Sequence, residues 1–180
     1  MHELVLILDF GSQYTQLIAR RIREEQVYCR IVHSDLTASE IQESGAKALI
    51  LSGGPNSSFE EGAPQIDPEI FNLDLPILGV CYGLQLITRH YNGNVVPGET
   101  REYGPMGVQL PVTSPLFEGV SEGSQVWMSH GDHVETVPED FQIIARSSGD
   151  LIAGIAHKSK PLVAVQFHPE VNHTIQGQTI

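Results

Sequence analysis

The first half of the chain alternates short apolar runs with longer amphipathic stretches. The apolar runs predict buried strands at residues 4–9, 27–32, 48–51 and 76–80. After Gly11 and Ser12, apolar side chains recur at helical spacing, at Tyr14, Leu17, Ile18 and Ile22. Because parallel strands are joined by right-handed helical crossovers, this alternation predicts a mostly parallel sheet flanked by helices.

Beyond about Gly93, the pattern changes to strands separated by glycine and proline turns. These strands are predicted at residues 108–112, 125–128, 143–145, 152–156 and 162–167. The stretch 57–67, which contains Glu60, Glu61 and Gly62, is predicted to be an exposed loop. Since no repeat, low-complexity tract or linker divides the chain, we expect one α/β domain over residues 1–180, with an antiparallel β-rich second half.

Cys81 stands between the apolar run 77–80 and a helical stretch, with Gly79 and Gly83 on either side. A nucleophile at a strand-to-helix bend projects above the sheet, with the next backbone N–H beside it. Glycines suit such a bend because neighbouring backbone comes too close for a Cβ atom, and the helix N-terminus favours a thiolate. The pattern predicts a reactive cysteine, and a buried structural cysteine is the alternative unless a base is found.

A candidate base follows the last apolar run, in the segment Phe167-His168-Pro169-Glu170. In an extended segment residues two apart point to the same side, so we expect His168 and Glu170 to face one pocket. The imidazole would take the thiol proton, and the carboxylate would fix the orientation of the ring. A surface histidine beside a solvated glutamate is the alternative, but the bend at Cys81 favours the catalytic interpretation.

The third predicted strand leads into Ser52-Gly53-Gly54-Pro55. Backbone N–H groups of such a loop can point at an oxyanion, so we expect the N–H groups of Gly54 and Tyr82 to form an oxyanion hole. Ser-Gly-Gly also opens the ATP-binding loop of pyrophosphatase-type synthetases, but here Pro55-Asn56-Ser57 stands where an acidic residue should follow. Because the chain also lacks Gly-x-x-x-x-Gly-Lys-Ser/Thr, we do not expect it to bind a nucleotide by itself.

Composition narrows the class of protein. A chain of 180 residues that is 41% apolar can bury the core of one domain. Its formal net charge of −12 would repel nucleic acid and membrane surfaces, so we expect neither as a partner. Two cysteines do not make a secreted disulfide framework, and Cys29 is expected to be inert strand filler. With no signal-peptide pattern at Met1 and no membrane-length apolar run, the sequence predicts a cytoplasmic protein.

Four motifs together resemble those of a known family: Asp9-Phe10-Gly11-Ser12-Gln13-Tyr14, the bend at Cys81, Trp127-Met128-Ser129-His130-Gly131-Asp132 and Phe167-His168-Pro169-Glu170. From residue 4 to about residue 176, the chain resembles the class I (triad) glutamine amidotransferases. The first and third motifs most resemble those of the amidotransferase domains of GMP synthases. Members of that family carry one more helix after the His-Pro-Glu segment, and a synthetase domain. The chain reaches Ile180 without either, so we expect both to be absent from it.

The resemblance implies a catalytic triad of Cys81, His168 and Glu170. Cys81 would attack the side-chain amide of glutamine, and the reaction would release glutamate and ammonia. The ammonia would pass to an ATP-pyrophosphatase synthetase domain or subunit that aminates XMP to GMP. ATP and Mg would be needed only there, so no cofactor is expected in this domain, and any oligomer would form through the synthetase part.

The resemblance also implies which residues bind glutamine. Gln85 lies one helical turn after Cys81 and would contact the substrate. Backbone around Ser129 and Gly131 would hold the α-amino and α-carboxylate groups, with Asp132 beside them. Three polar residues are expected near a rim where the synthetase part docks: His130, Asp132 and His133. Two histidines three apart could hold a metal, but no third ligand has a recognisable spacing, so we expect no metal site.

Three alternative functions stay open. A γ-glutamyl peptidase on the same scaffold would share the triad, and the glutaminase part of an anthranilate or carbamoyl-phosphate enzyme would share the chemistry. A non-catalytic regulatory module is the alternative of a different class. That alternative is disfavoured because Cys81, His168 and Glu170 are all present.

Overall fold

The computed structural model describes residues 3–180, with the exception of the side chains of residues 99–101. The first half contains four strands and three α-helices: β1 Leu4–Asp9, α1 Thr15–Glu24, β2 Tyr28–His33, α2 Ala38–Ser44, β3 Ala48–Leu51, β4 Ile77–Val80 and α3 Tyr82–His90. The second half consists of strands: β5 Asn94–Gln109, β6 Gln125–Thr136, β7 Phe141–Ser147, β8 Ile152–His157 and β9 Leu162–Val165. Two short 3-10 helices, Pro68–Asn72 and Pro115–Phe117, lie in the connections.

The strands form one mixed sheet in the order β2-β1-β3-β4-β9-β8-β7-β5-β6. The five strands from β2 to β9 pair in parallel, and the remaining neighbours pair antiparallel. The predicted fold class, a mostly parallel sheet joined to an antiparallel second half, is confirmed. Because β3, β4 and β9 are neighbours and run in the same direction, the segments that follow them meet at one edge of the sheet.

The longest strand pair in the described chain, β5 with β6, was not predicted. β5 has 16 residues and pairs with β6, and the register shifts between Pro97 and Glu102. The strand predicted at residues 108–112 is wrong except for Val108 and Gln109, which end β5. Two prolines and several glycines, including Gly104 at φ +105°, interrupt β5, and this composition was interpreted as turns. The predicted loop 57–67 contains no helix or strand, and its Glu60-Glu61-Gly62 segment is exposed.

Helices cover both faces of the parallel part of the sheet. On one face, Ile18 and Ala19 of α1 pack against Ile7 and against Cys29, whose thiol donates to the carbonyl of Ala19 at 3.4 Å. On the other face, the buried residues of α3 join a larger core that includes strand residues such as Leu51. No helix within the described residues 3–180 is both long and apolar enough to cross a membrane.

Two glycines allow β3, β4 and α3 to pack closely. A Cβ atom on Gly83 would lie 2.5 Å from the carbonyl oxygen of Leu51. A Cβ atom on Gly79 would lie 2.6 Å from Cδ1 of Ile87 and 2.8 Å from the backbone of Gly83. All three distances are shorter than ordinary Cβ contacts, which confirms the close backbone approach predicted for the segment around Cys81.

We predict that Gly83→Ala destabilises the fold, because the added methyl group forces α3 away from β3. The expected loss in the free energy of unfolding is about 1–3 kcal/mol, measured by denaturant unfolding. Gly107→Ala is the matched control, since its Cβ atom would meet nothing closer than 3.5 Å. Equal stability of the two variants would contradict this account of the bend.

Candidate active site

Cys81 occupies the bend between β4 and α3 in a strained backbone conformation. Its φ is +53° and its ψ is −99°, values that residues with a side chain rarely adopt. Its N–H donates to the carbonyl of Val165 at 2.8 Å, and its own carbonyl accepts from Leu84 and Gln85 of α3. Backbone strain of this kind costs about 1–3 kcal/mol and persists only where the surroundings impose it, as they often do at functional sites.

His168 and Glu170 form a buried pair beside this bend. Nδ1 of His168 lies 2.8 Å from Oε1 of Glu170, and the two side chains are 3% and 2% exposed. The carboxylate therefore holds Nδ1, and Nε2 is the nitrogen left for the cavity that Cys81 and His168 both line. The structure brings the three residues of the expected triad together.

His168 and Glu170 do not lie in one extended segment at the end of a strand, as the sequence predicted. β9 ends at Val165, and Pro169 and Glu170 lie in a turn. His168 lies beyond the end of β9, and its N–H donates to the carbonyl of Trp127 in β6 at 3.0 Å. Arg21 of α1 donates through Nε to the carbonyl of Glu170 at 3.1 Å and so anchors the turn. The carboxylate reaches the imidazole by this turn, not by strand alternation.

The pKa of His168 is raised from its ordinary value of 6.5 to about 10. Burial opposes the charged ring, but interaction with the Cys81 side chain and then with Glu170, through hydrogen bonding and charge, outweighs burial. The ring therefore holds a proton strongly and, as the imidazolium, can give that proton to a leaving group.

The sulfur of Cys81 has two further polar neighbours. The carbonyl oxygen of Ser129 lies 3.8 Å from Sγ, and the side-chain amide of Gln166 donates to Sγ at 3.7 Å. Gln166 is only 1% exposed, and its Oε1 has no partner among the residues that the structure describes. Gln166 was not among the predicted site residues. A single amide at the end of the apolar run 162–165 was the available signal.

The glycine loop after β3 lies against both reactive side chains. A Cβ atom on Gly53 would lie 3.0 Å from Cε1 of His168 and 3.6 Å from Cβ of Cys81, and one on Gly54 would lie 2.7 Å from the carbonyl of Phe10. Tyr82 is the first residue of α3, so its N–H has no acceptor within the helix. Tyr82 directly follows Cys81, and Gly54 lines the same cavity as Cys81, while the role of these two predicted oxyanion donors in catalysis stays a prediction.

A cavity of about 550 Å³ opens above Cys81 and His168. All four predicted glutamine-binding residues line it: Gln85, Ser129, Gly131 and Asp132. Gln85 is 4% exposed and donates through Nε2 to the carbonyl of Asp132 at 3.4 Å. Its Oε1 has no hydrogen-bond partner within the described chain, so an acceptor is buried at the wall of the cavity.

The expected position of His130 at the rim is wrong. His130 is 5% exposed, and its ring lies between the carbonyl of Asp132 and the carboxylate of Glu102. Alternate side chains of β6 point inward, and His130 continues the buried series of Val126 and Met128. Asp132 and His133 are half-buried. Among the side chains that the structure describes, no cluster of three potential metal ligands is found.

We predict that His168 makes the stability of the protein pH-dependent on the alkaline side. Because its pKa is raised on folding, its contribution is complete below about pH 6.5 and is lost as the pH rises toward about 10. The difference in unfolding free energy between the wild type and His168→Asn should therefore shrink over that range. The measurement is denaturant unfolding at a series of pH values.

His157→Asn serves as the control for this prediction. Burial lowers the pKa of His157 below 6.5, so any contribution from its titration should not vary at higher pH. If the difference in unfolding free energy between the wild type and His168→Asn stays constant between pH 6.5 and 10, the raised pKa of His168 is contradicted.

Comparison with known proteins yields one family. The family model described as glutamine amidotransferase class-I matches residues 6–180. The chain is 51% identical over 178 residues to the glutamine-hydrolysing GMP synthase of Caldanaerobacter subterraneus subsp. tengcongensis, covering 99% of this chain and 35% of the relative. It is 48% identical over 176 residues to that of Clostridium novyi, covering 98% and 34%. The chain thus spans about a third of the length of these curated relatives.

Solved structures agree on the fold. A candidate GMP synthase subunit from Thermoplasma acidophilum matches with a TM-score of 0.86 and 34% identity, covering 99% of this chain and 90% of that one. A glutamine amidotransferase from Thermotoga maritima matches with a TM-score of 0.78 and 22% identity, covering 95% and 77%. Because the family model matches residues 6–180 and the Thermoplasma protein is 34% identical with 90% of its length covered, this chain belongs to the class I glutamine amidotransferase family.

Proposed function

We propose that this chain is the glutamine-hydrolysing part of a GMP synthase. The observation that carries the proposal is the arrangement at the cavity floor, where a strained Cys81 faces an imidazole held by Glu170. A nucleophile, a base and a group that orients the base are the minimum set for acyl transfer by covalent catalysis. Family membership supports glutamine as the acyl donor.

The proposed first step forms a γ-glutamyl thioester. The thiol proton of Cys81 passes to Nε2 of His168, Sγ attacks the side-chain carbonyl carbon of glutamine, and the N–H groups of Gly54 and Tyr82 stabilise the oxyanion. When the tetrahedral intermediate collapses, the C–N bond breaks and the imidazolium of His168 protonates the departing ammonia. The raised pKa of His168 supports this assignment, because it supplies the proton at neutral pH.

The proposed second step hydrolyses the thioester. His168, now neutral, takes a proton from water as the water attacks the acyl carbon. The C–S bond breaks, the imidazolium returns its proton to Sγ, and glutamate leaves with Cys81 and His168 in their starting state. Glu170 holds Nδ1 throughout, so the same nitrogen, Nε2, handles the proton in both steps.

The walls of the cavity support a small amino acid as the substrate. We assign the contact with glutamine to Gln85, whose unpartnered Oε1 can accept a hydrogen bond from an α-amino group. The backbone of Ser129 and Gly131, next to Asp132, is assigned to the rest of the α-amino acid moiety. All four residues line the cavity above Cys81.

The proposal includes a synthetase part that uses the ammonia to convert XMP to GMP. The support is that the curated relatives are GMP synthases about three times as long as this chain. ATP and Mg are assigned to that part. A cytoplasmic location and an oligomer formed through the synthetase part stay predictions.

We predict that Cys81→Ala abolishes glutamine-dependent GMP formation in the intact enzyme and leaves synthesis from added ammonia unchanged. The physical reason is that Cys81 acts only in releasing ammonia, whereas amination takes place in the synthetase part. Cys29→Ala is the matched control and should retain both activities. Loss of both activities in a folded Cys81→Ala variant would contradict the assignment of ammonia release to this chain and of amination to the synthetase part.

A second prediction concerns the selectivity of the thiol. A chloroketone analogue of glutamine should alkylate Cys81 and not Cys29, which is buried in β2 and lines no substrate cavity in the described chain. Free glutamine should protect Cys81, and mass spectrometry identifies the labelled residue. Protection by γ-glutamyl peptides instead of glutamine would favour the peptidase alternative.

A further inference from the structure

A second buried histidine–carboxylate pair lies beneath the wall of the cavity. Glu102 of β5 is 7% exposed, and its Oε2 lies 3.2 Å from Nε2 of His130 on β6. Its other oxygen, Oε1, accepts a hydrogen bond from the hydroxyl of Ser147 of β7 at 2.8 Å. Nδ1 of His130 lies 2.9 Å from the carbonyl of Asp132. The chain of contacts therefore runs from β7 through β5 and β6 to a backbone group at the cavity wall.

The chemistry of the partners fixes the protons on the ring of His130. The carbonyl of Asp132 can only accept, so Nδ1 must donate to it. Burial raises the pKa of Glu102, but hydrogen bonds from His130 and Ser147 outweigh burial and leave the pKa below its ordinary value. The carboxylate of Glu102 lies at the other ring nitrogen, Nε2, at 3.2 Å. Each ring nitrogen of His130 therefore has a fixed partner.

The two ends of the cavity-wall segment 129–132 are held by different contacts. At one end, the carbonyl of Ser129 faces Sγ of Cys81 at 3.8 Å. At the other end, the carbonyl of Asp132 accepts from Nε2 of Gln85 and faces Nδ1 of His130. Gln85 approaches from α3 and His130 from β6, so this carbonyl is fixed from both halves of the fold.

The surroundings of Glu102 leave it little freedom. A Cβ atom on Gly149, in the β7–β8 turn, would lie 2.7 Å from Oε1 of Glu102. The carboxylate is therefore packed against backbone on one side, hydrogen-bonded by Ser147 and paired with His130. A buried charge that has all its partners in place is a rigid support, whereas removing one partner is costly.

We propose that Glu102 and His130 are positioning residues that set the segment 129–132 for recognition of glutamine, which rests on the proposed function. Neither residue handles a proton in the reaction, since both nitrogens of His130 are occupied. Their effect is on where the backbone of Gly131 and Asp132 lies relative to Cys81. Displacements of about 1 Å in a supporting shell are enough to weaken a site substantially.

The test separates recognition of glutamine from reactivity of the thiol, in the intact enzyme. Cys81 is alkylated with iodoacetamide, which needs only the nucleophile, and with the glutamine chloroketone, which also needs the binding segment. Glu102→Ala should slow chloroketone labelling and raise the KM for glutamine by about tenfold. Iodoacetamide labelling and ammonia-dependent synthesis should stay at the wild-type rate.

Two further variants sharpen the test. Glu102→Gln should restore most of the loss, because the amide can donate to Nε2 of a neutral His130 whose Nδ1 still holds Asp132. Glu135→Ala is the control, since Glu135 also bridges β5 and β6, through Asn94 at 2.8 Å, but on the exposed surface. It should change neither rate. If Glu102→Ala does not fold, Ser147→Ala should slow chloroketone labelling in the same direction.

The outcomes distinguish this inference from the function on which it rests. Equal slowing of both reagents in Glu102→Ala, or no change with either, would overturn the positioning role while leaving the proposed function intact. If glutamine does not protect the wild-type enzyme from labelling by the chloroketone, the proposed function is overturned, and the inference with it. Selective slowing of the chloroketone, rescued by Glu102→Gln, supports both.

Discussion

The close packing of α3 against β3 and β4 is the constraint on which the site depends. Gly79 and Gly83 permit the helix to start directly above the strand ends, and Cys81 takes a positive φ to connect them. The strain at Cys81 is offset by backbone hydrogen bonds to Val165 on one side and from α3 on the other. The same geometry brings the thiol, the start of α3 and the loop at Gly54 to one point.

The parallel half alone cannot complete this site. β9 belongs to the parallel sheet but follows the antiparallel half in sequence, and it delivers His168 next to the bend. The position of His168 then depends on β6, through the carbonyl of Trp127, and on α1, through the contact of Arg21 with Glu170. The catalytic geometry therefore depends on the packing of the two halves against each other. Weakening either of these two contacts should displace the imidazole.

Features of the fold and site were predictable where the residues that form them are close together in the sequence. The bend at Cys81 was predictable because glycine spacing and a strand-to-helix change occur within a few residues. Glu102 was not, because its partners His130 and Ser147 lie 28 and 45 residues away, and the partner strands are known only from the fold. His130 was misplaced because the family resemblance put it at the rim together with Asp132 and His133, whereas the alternation along β6 decides its direction.

The two buried histidine–carboxylate pairs explain why one ring can catalyse and the other can only support. In both, a carboxylate contacts one ring nitrogen, at 2.8 Å for His168 and 3.2 Å for His130. They differ at the other nitrogen. That of His168 faces a thiol, which can gain and lose a proton, whereas that of His130 faces a backbone carbonyl, which cannot.

That difference assigns opposite roles to similar side chains. A ring with one mobile proton can act as a general base and then as a general acid, because its second nitrogen is held in a fixed tautomer. A ring that is held by a carboxylate at one nitrogen and by a backbone carbonyl at the other has no partner with which to exchange a proton in the reaction, and it can contribute only orientation. Since both pairs lie beside the cavity, one on the thiol and one on the proposed glutamine-binding segment, the fold uses the same buried interaction to activate the nucleophile and to position the substrate.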